Sequence, residues 1–135
     1  MGPVILCVGM NEKKAFRIGM LCAGLGIAVK DVPPKRQGMR ISVLCGADPD
    51  TGKDLPGRVP GEMLVMAGFS DRLTDAFLAA LRSADCAVPL KAVMTPYNRE
   101  WSCERLYREL AMEALSFGRA HPEKRDDRVD QPGRR

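Results

Sequence analysis

One plan occurs twice along this chain, and that repetition limits the fold more than any other feature. Residues Val4 to Gly9 are a continuous apolar run, as expected of a strand buried on both faces, and Gly9-Met10-Asn11 interrupts it. Asn11 is suited to cap a helix, with Glu12 at the positive end of that helix's dipole. The helix reads through Phe16, Met20, Leu21 and Leu25 and stops at the Gly24/Gly26 pair, where glycine tolerates a left-handed C-cap. Ile27 to Val32 reads as a second strand, closed by Pro33-Pro34. The plan then returns. Met63 to Ala67 is an apolar strand, and Gly68-Phe69-Ser70 repeats the order glycine, apolar residue, capping residue. A helix with Leu73, Phe77, Leu81 and Ala84 on one stripe follows, and Val88 to Met94 reads as another strand.

With a two-residue gap, Ala15-Phe16 aligns with Ala76-Phe77, Ala23 with Ala84, Lys30 with Lys91 and Val32 with Val93. This predicts an internal duplication of a βαβ unit, over 4–32 and 63–94. Two such units in series make right-handed crossovers, and their compact solution is an α+β sandwich of ferredoxin-like type, both helices on one face. A small open parallel α/β sheet is the alternative. Pro89 cannot donate to a ladder, which puts the last strand at an edge or the proline at its start. Asn98 is read as the cap of a closing helix over 98–117, with Cys103, Leu106, Leu110 and Ala114 as its buried stripe. A third helix or a second subunit should cover the remaining sheet face. Residues 1–118 then form a single α/β domain, and the polar, proline-bearing segment 119–135 is expected to be a disordered charged tail.

The connector 33–62 is long for a compact domain. Met39 to Cys45 alternates well enough for a strand, with a short helix as the other reading, and Gly46 to Gly61 is loop. That loop contains Gly46-Ala-Asp-Pro-Asp-Thr-Gly52-Lys53, which suggests a phosphate-binding loop but has five residues between its glycines and runs on into Asp54 and prolines. Asp48, Asp50 and Asp54 also miss the calcium-loop pattern, with glycine at the fifth position and Val59 at the twelfth. Both are read as turns of a solvated loop.

Charge and cysteine usage narrow the functional classes. The net charge of +4 divides evenly: 119–135 carries six basic and four acidic side chains, and the preceding 118 residues carry 15 and 13. A nucleic-acid binder would gather Lys and Arg on one face. Lys13, Lys14 and Arg17 are read instead as a solvated helix face, so no nucleic-acid partner is expected. No stretch approaches the roughly 20 apolar residues that span a membrane, and no basic residues precede the apolar run Pro3 to Val8 as they would in a signal peptide. The five cysteines are odd in number and widely spaced, which reads as reduced thiols in the cytoplasm, with Cys7, Cys22 and Cys86 as core hydrophobes. The one histidine, His121, lies in the tail, so no Ser/His/Asp or Cys/His set sits on a folded element. No catalytic residue, metal ligand or cofactor is accordingly expected.

One segment carries a candidate ligand site. Lys91, Thr95, Tyr97, Asn98 and Trp101 gather where the last strand turns into the last helix, and backbone N–H groups at a helix start attract anions. Alternation along the strand would let the Lys91 amine reach the same corner. The plainer reading is structural, with Asn98 capping the helix, Pro96 shaping the turn and Trp101 anchoring helix to sheet.

Here the chain resembles a known family. From Met63 to Leu110, above all in Gly68-Phe69-Ser70, Asp75-Ala76-Phe77-Leu78 and the string Lys91-Ala92-Val93-x-Thr95-x-x-Asn98-x-x-Trp101, it is similar to the bacterial Domain of Unknown Function 3783. The resemblance covers the second half and implies a small cytoplasmic bacterial protein without an assigned activity, substrate or cofactor. The expected function is a non-catalytic domain that binds a ligand or a protein, as a homodimer or with another partner. The alternative is an enzyme or anion binder taking a small anionic ligand at Lys91, Thr95 and Asn98. A third expectation, thiol chemistry at Cys45 or Cys103, would require a reactive thiolate there.

Overall fold

The computed structural model describes residues 2–120, with side chains described through Ser116. The elements are β1 (Val4–Val8), α1 (Glu12–Leu25), β2 (Ala28–Val32), a 3-10 turn (Pro34–Arg36), α2 (Ile41–Leu44), β3 (Met63–Ala67), α3 (Asp71–Ser83), β4 (Leu90–Val93) and α4 (Cys103–Ala120). The expected tail at 119–135 therefore loses Arg119 and Ala120 to α4, and its remainder, His121 included, lies outside the described residues.

Local chemistry sets the helix ends as expected. The Asn11 side chain accepts from the Lys14 N–H and the Ser70 hydroxyl from the Leu73 N–H. Gly26 closes α1 in the left-handed region, at φ 71°. The corresponding position of α3 is Asp85, at φ 53°, a residue type that tolerates that region better than most.

The sheet has the order β2-β1-β3-β4, with β1 parallel to β2, β3 parallel to β4, and β1 antiparallel to β3. The mixed α/β class and the two like-connected βαβ units are as read from the sequence; the strand order is not ferredoxin-like. In that fold a strand of one unit lies between the two strands of the other, whereas here each unit's strands are direct neighbours. The two units meet along β1 and β3, whose register centres on Leu6 opposite Val65 and relates the halves by a quasi-two-fold axis. β4 is an edge strand with Pro89 immediately before it, so the missing N–H costs no ladder bond.

The structure also moves the gap between the repeats. Asn11 corresponds to Ser70, buried Ile18 to buried Phe77, and buried Cys22 to buried Leu81, without interruption through the helices. The extra residues come later: Ala87, Val88 and Pro89 precede β4 without a counterpart before β2. Phe16 is thus no equivalent of Phe77; it is 69% exposed while Phe77 is in the core. Nor do Lys30 and Lys91 correspond. Lys30 pairs with Leu6 and Lys91 with Leu64, on opposite faces of the sheet.

α1 and α3 pack side by side on one face, where Ile18, Cys22, Phe77 and Leu81 close over Ile5, Cys7, Leu64 and Met66. The other face is covered by the connector and α4, which set Ile41, Leu44, Cys103, Leu106 and Leu110 against Leu6, Val8, Met63 and Val65. Every residue of β1 and β3 is buried, so this sheet needs no second subunit to cover it. The segment expected as a strand at Met39–Cys45 is instead the short helix α2. It lies across the sheet face rather than beside an edge, so it has no ladder partner and must satisfy its backbone within a helical turn. Only Arg40 forms a bridge, with Ser102.

The loop from Gly46 to Gly61 contains no regular element and is nevertheless pinned. Buried Gln37 donates to the Val32 carbonyl at 3.2 Å and accepts from the Val59 N–H at 2.9 Å, and its own carbonyl accepts from the Glu104 N–H. The acidic residues of the loop are matched by cations: Asp48 by Arg99, Asp50 by Arg36, and Asp54 by Lys35 and Arg36. Gly9 is demanded by a close approach. A Cβ there would lie 2.0 Å from the Gly61 carbonyl oxygen, and its φ is already +74°. Among the described residues no helix is long and apolar enough to cross a membrane.

Candidate functional site

The five residues expected at the strand-to-helix corner divide into one and four. Lys91 sits mid-strand opposite Leu64, 2% exposed, and its Nζ lies 2.8 Å from the Val88 carbonyl oxygen, toward the start of β4. Thr95 lies beyond the other end of the strand, about 13 Å along the chain at the usual rise per residue. The lysine amine therefore belongs to the α3 face of the sheet rather than to the corner.

Thr95, Tyr97, Asn98 and Trp101 do come together, in a turn that closes on itself. The Thr95 hydroxyl accepts from the N–H groups of Tyr97 and Asn98, each at 3.1 Å, and the Thr95 carbonyl accepts from the Arg99 N–H at 3.0 Å. The Asn98 side chain accepts from the Thr95 N–H at 2.9 Å and donates to the Val93 carbonyl at 3.1 Å. The Asn98 main-chain carbonyl accepts from the Trp101 N–H at 3.0 Å. The donors that would have held an anion are engaged inside the turn. Asn98 is consequently not the cap of the closing helix. That place belongs to Ser102, whose hydroxyl accepts from the Arg105 N–H at 3.0 Å, and α4 starts at Cys103.

The turn is docked onto α2. The Ile41 and Ser42 N–H groups, orphaned at the start of that helix, donate to the carbonyls of Trp101 and Arg99 at 2.9 and 3.0 Å. Ion pairs flank the seam, Arg99 with Asp48 at 3.1 Å and Arg40 with Glu100 at 2.7 Å. The Ser42 hydroxyl and the Arg99 guanidinium hold the Asp48 carboxyl below its ordinary range, and Asp48 in turn holds Arg99 above its own.

What this rigid turn presents outward is an aromatic pair under a cation. Tyr97 is 82% exposed, and its ring meets Trp101 edge to face at 5.7 Å and 62°. The Arg105 guanidinium carbon lies 4.1 Å above the Trp101 ring, a cation–π contact worth about 0.5–1 kcal/mol at an exposed site. Such a surface offers ring faces, ring edges and a fixed positive charge. It is suited to recognition. The thiols offer little chemistry by comparison, because all five cysteines are buried. Burial pushes Cys7 and Cys103 up to about 12, helped by Asp31 and Glu104 respectively, and Cys22 up to about 11.

Arg105 joins this surface beside the expected residues, a place that its position four after Trp101 could have revealed. Lys13 and Arg17 are exposed, as a solvated face should be, and Lys14 is half-buried; Lys14 and Arg17 also tie α1 to the segment before β4. Lys14 Nζ lies 2.6 Å from Glu62 Oε1 and 2.7 Å from the Ala87 carbonyl oxygen, and Arg17 donates to the Ala84 carbonyl at 2.5 Å. With Lys13 they line a cleft of about 470 Å³.

Residues 62–117 match the family model of DUF3783, a domain of unknown function. The matched stretch runs from β3 into α4 and includes all five residues of the expected site together with Arg105. No curated protein and no solved structure matches the chain.

Proposed function

We propose that this chain, whose residues 62–117 match the DUF3783 family model, is a non-catalytic binding domain whose partner is a protein held against the surface of Tyr97, Trp101 and Arg105. The observation that carries the reading is Tyr97, an aromatic side chain left 82% exposed on a turn that internal hydrogen bonds already hold rigid. A protein partner gains large, pre-ordered contact area there at little conformational cost, and Tyr, Trp and Arg are the residue types that dominate interface energies. The cytoplasm, in a bacterium as the family resemblance implies, is the compartment that goes with five unbridged cysteines. The two βαβ units are read as a duplication on their like connectivity and matching caps. An enzyme or anion binder at Lys91, Thr95 and Asn98 has less support, since the lysine amine bonds the Val88 carbonyl and the turn's donors bond one another.

The test is site-specific photocrosslinking in cells expressing the chain, with p-benzoylphenylalanine at position 97 and, as control, at the exposed α3 position 79. A discrete adduct from position 97 and none from position 79 is expected. An adduct of twice the chain mass would make the partner a second copy, and a different mass would make it another protein. Absence of any adduct at position 97, or the same adduct from both positions, would overturn the proposal.

A further inference from the structure

The aromatic pair is one end of a longer stripe. Taking Trp101 as origin, Arg105, Arg108, Met112 and Leu115 follow at four, seven, eleven and fourteen residues, the spacing of a single helical face. That face points away from the core, since the buried residues of α4, among those described, are Cys103, Leu106 and Leu110. A surface helix ordinarily turns its charges outward and its large apolar residues inward. Among the described side chains of α4 the outward pole carries Met112 and Leu115, 65% and 57% exposed, and its charges are two arginines, Arg105 and Arg108. The helix's carboxylates stand off this line. Glu104, the nearest on one side, is occupied by the Arg58 N–H at 3.1 Å and by Arg108 at 3.4 Å. Along the same flank a largely apolar cleft of about 370 Å³ runs between α4 and the Arg58–Pro60 segment, floored by Tyr107 and Ala111.

We infer that this face of α4 docks an acidic amphipathic helix of the partner, an inference that rests on the protein-binding reading above. Within α4 the ten steps from Arg105 to Leu115 make a track about 15 Å long, nearly three helical turns, with the aromatic pair just beyond its N-terminal end. A partner helix lays apolar residues at i, i+3, i+4 and i+7 against Met112, Leu115 and the cleft, and its flanking Asp and Glu side chains meet Arg105, Arg108 and Arg58. A basic amphipathic helix would bring like charges against those arginines and is rejected. The aromatic pair at the N-terminal end serves as the anchor.

Two designed tryptophan-free peptides of about 18 residues test this, identical in their leucine stripe and carrying either glutamate or lysine on the remaining face. Trp101 is the chain's one tryptophan, so its emission reports occupancy of the track directly, and anisotropy of labelled peptide gives the affinities. The glutamate peptide is expected to bind saturably and to shift Trp101 emission. Its affinity should fall by about tenfold or more in Arg105→Glu/Arg108→Glu and in Met112→Asp, whose exposed positions leave the far-UV circular dichroism unchanged, and should hold in Arg72→Glu on α3. Equal binding of the lysine peptide, no binding of either peptide, or indifference to Met112→Asp would overturn the inference. A crosslink from position 97 with no peptide binding would remove the acidic helix alone, whereas loss of both would remove the protein-binding reading with it.

Discussion

Replacing Asn98 by alanine removes two hydrogen bonds at once, and their loss should cost more than a helix cap does. The side chain is only 9% exposed, bonding the Thr95 N–H at 2.9 Å and the Val93 carbonyl at 3.1 Å. Alanine leaves a donor and an acceptor without those partners in a largely closed turn. A buried group so orphaned costs about 1–3 kcal/mol. Thr95 and Val93 are half-buried and recover part of this from water, so the lower half of that range applies to each and the total is about 2–4 kcal/mol. Ser102→Ala removes only the bond from the Arg105 N–H at 3.0 Å, a cap loss of about 1 kcal/mol. For a folded unit of this size the difference reads as a melting-point drop of about 12 °C for Asn98→Ala against about 4 °C for Ser102→Ala. Urea titrations followed by circular dichroism and by Trp101 emission would measure both, with Asn98→Asp, which keeps the acceptor and loses the donor, falling between them. Should Asn98→Ala cost no more than about 1 kcal/mol while Ser102→Ala costs nothing, Asn98 would be an ordinary cap and the geometry of the corner would be refuted.

Phe77→Ala should cost about 3–5 kcal/mol by denaturant titration, and Phe16→Ala should stay within about 0.5 kcal/mol; comparable losses would contradict the register of the two repeats. Native-state alkylation at pH 8 should leave all five thiols slow to react until the chain is unfolded, because burial raises Cys7, Cys22 and Cys103 and shields the rest; rapid labelling of Cys45 or Cys103 would revive a thiol function. Asp48 is held low by Ser42 and Arg99, and Asp50 by the Arg36 side chain and the Gly52 amide. A carboxyl depressed in the folded state contributes its stability above the unfolded value near ~4 and loses it as the pH falls through the folded value. Asp48→Asn should therefore lose less stability than the parent chain between about pH 5 and pH 3, and parallel urea midpoints across that range would count against the pairing.

What the sequence by itself determined is what adjacent residues decide. Continuous apolar runs made β1 and β3 legible, and Asn11, Ser70 and Gly26 marked helix ends because a cap bonds a backbone group only three or four residues away. The stripe Cys103, Leu106, Leu110 was legible for the same reason. Tertiary structure decided the rest. Strand order depends on which edges meet, and no run of residues encodes that. Lys30 and Lys91 look equivalent in line, yet Ala87, Val88 and Pro89 shift the register of β4 and send the two lysines to opposite faces. A strand's side chains alternate, so a slip of one position exchanges core for solvent. Met39–Cys45 has the alternation of a strand and became a helix because it packs across the sheet face, where no strand edge lies beside it. Asn98 has the chemistry of a cap, but its donor and acceptor lie behind it, at Thr95 and Val93, once the turn has docked on α2. Bonds closed within a turn of helix can be read from a string of residues, while those closed between elements exist only after the elements have packed.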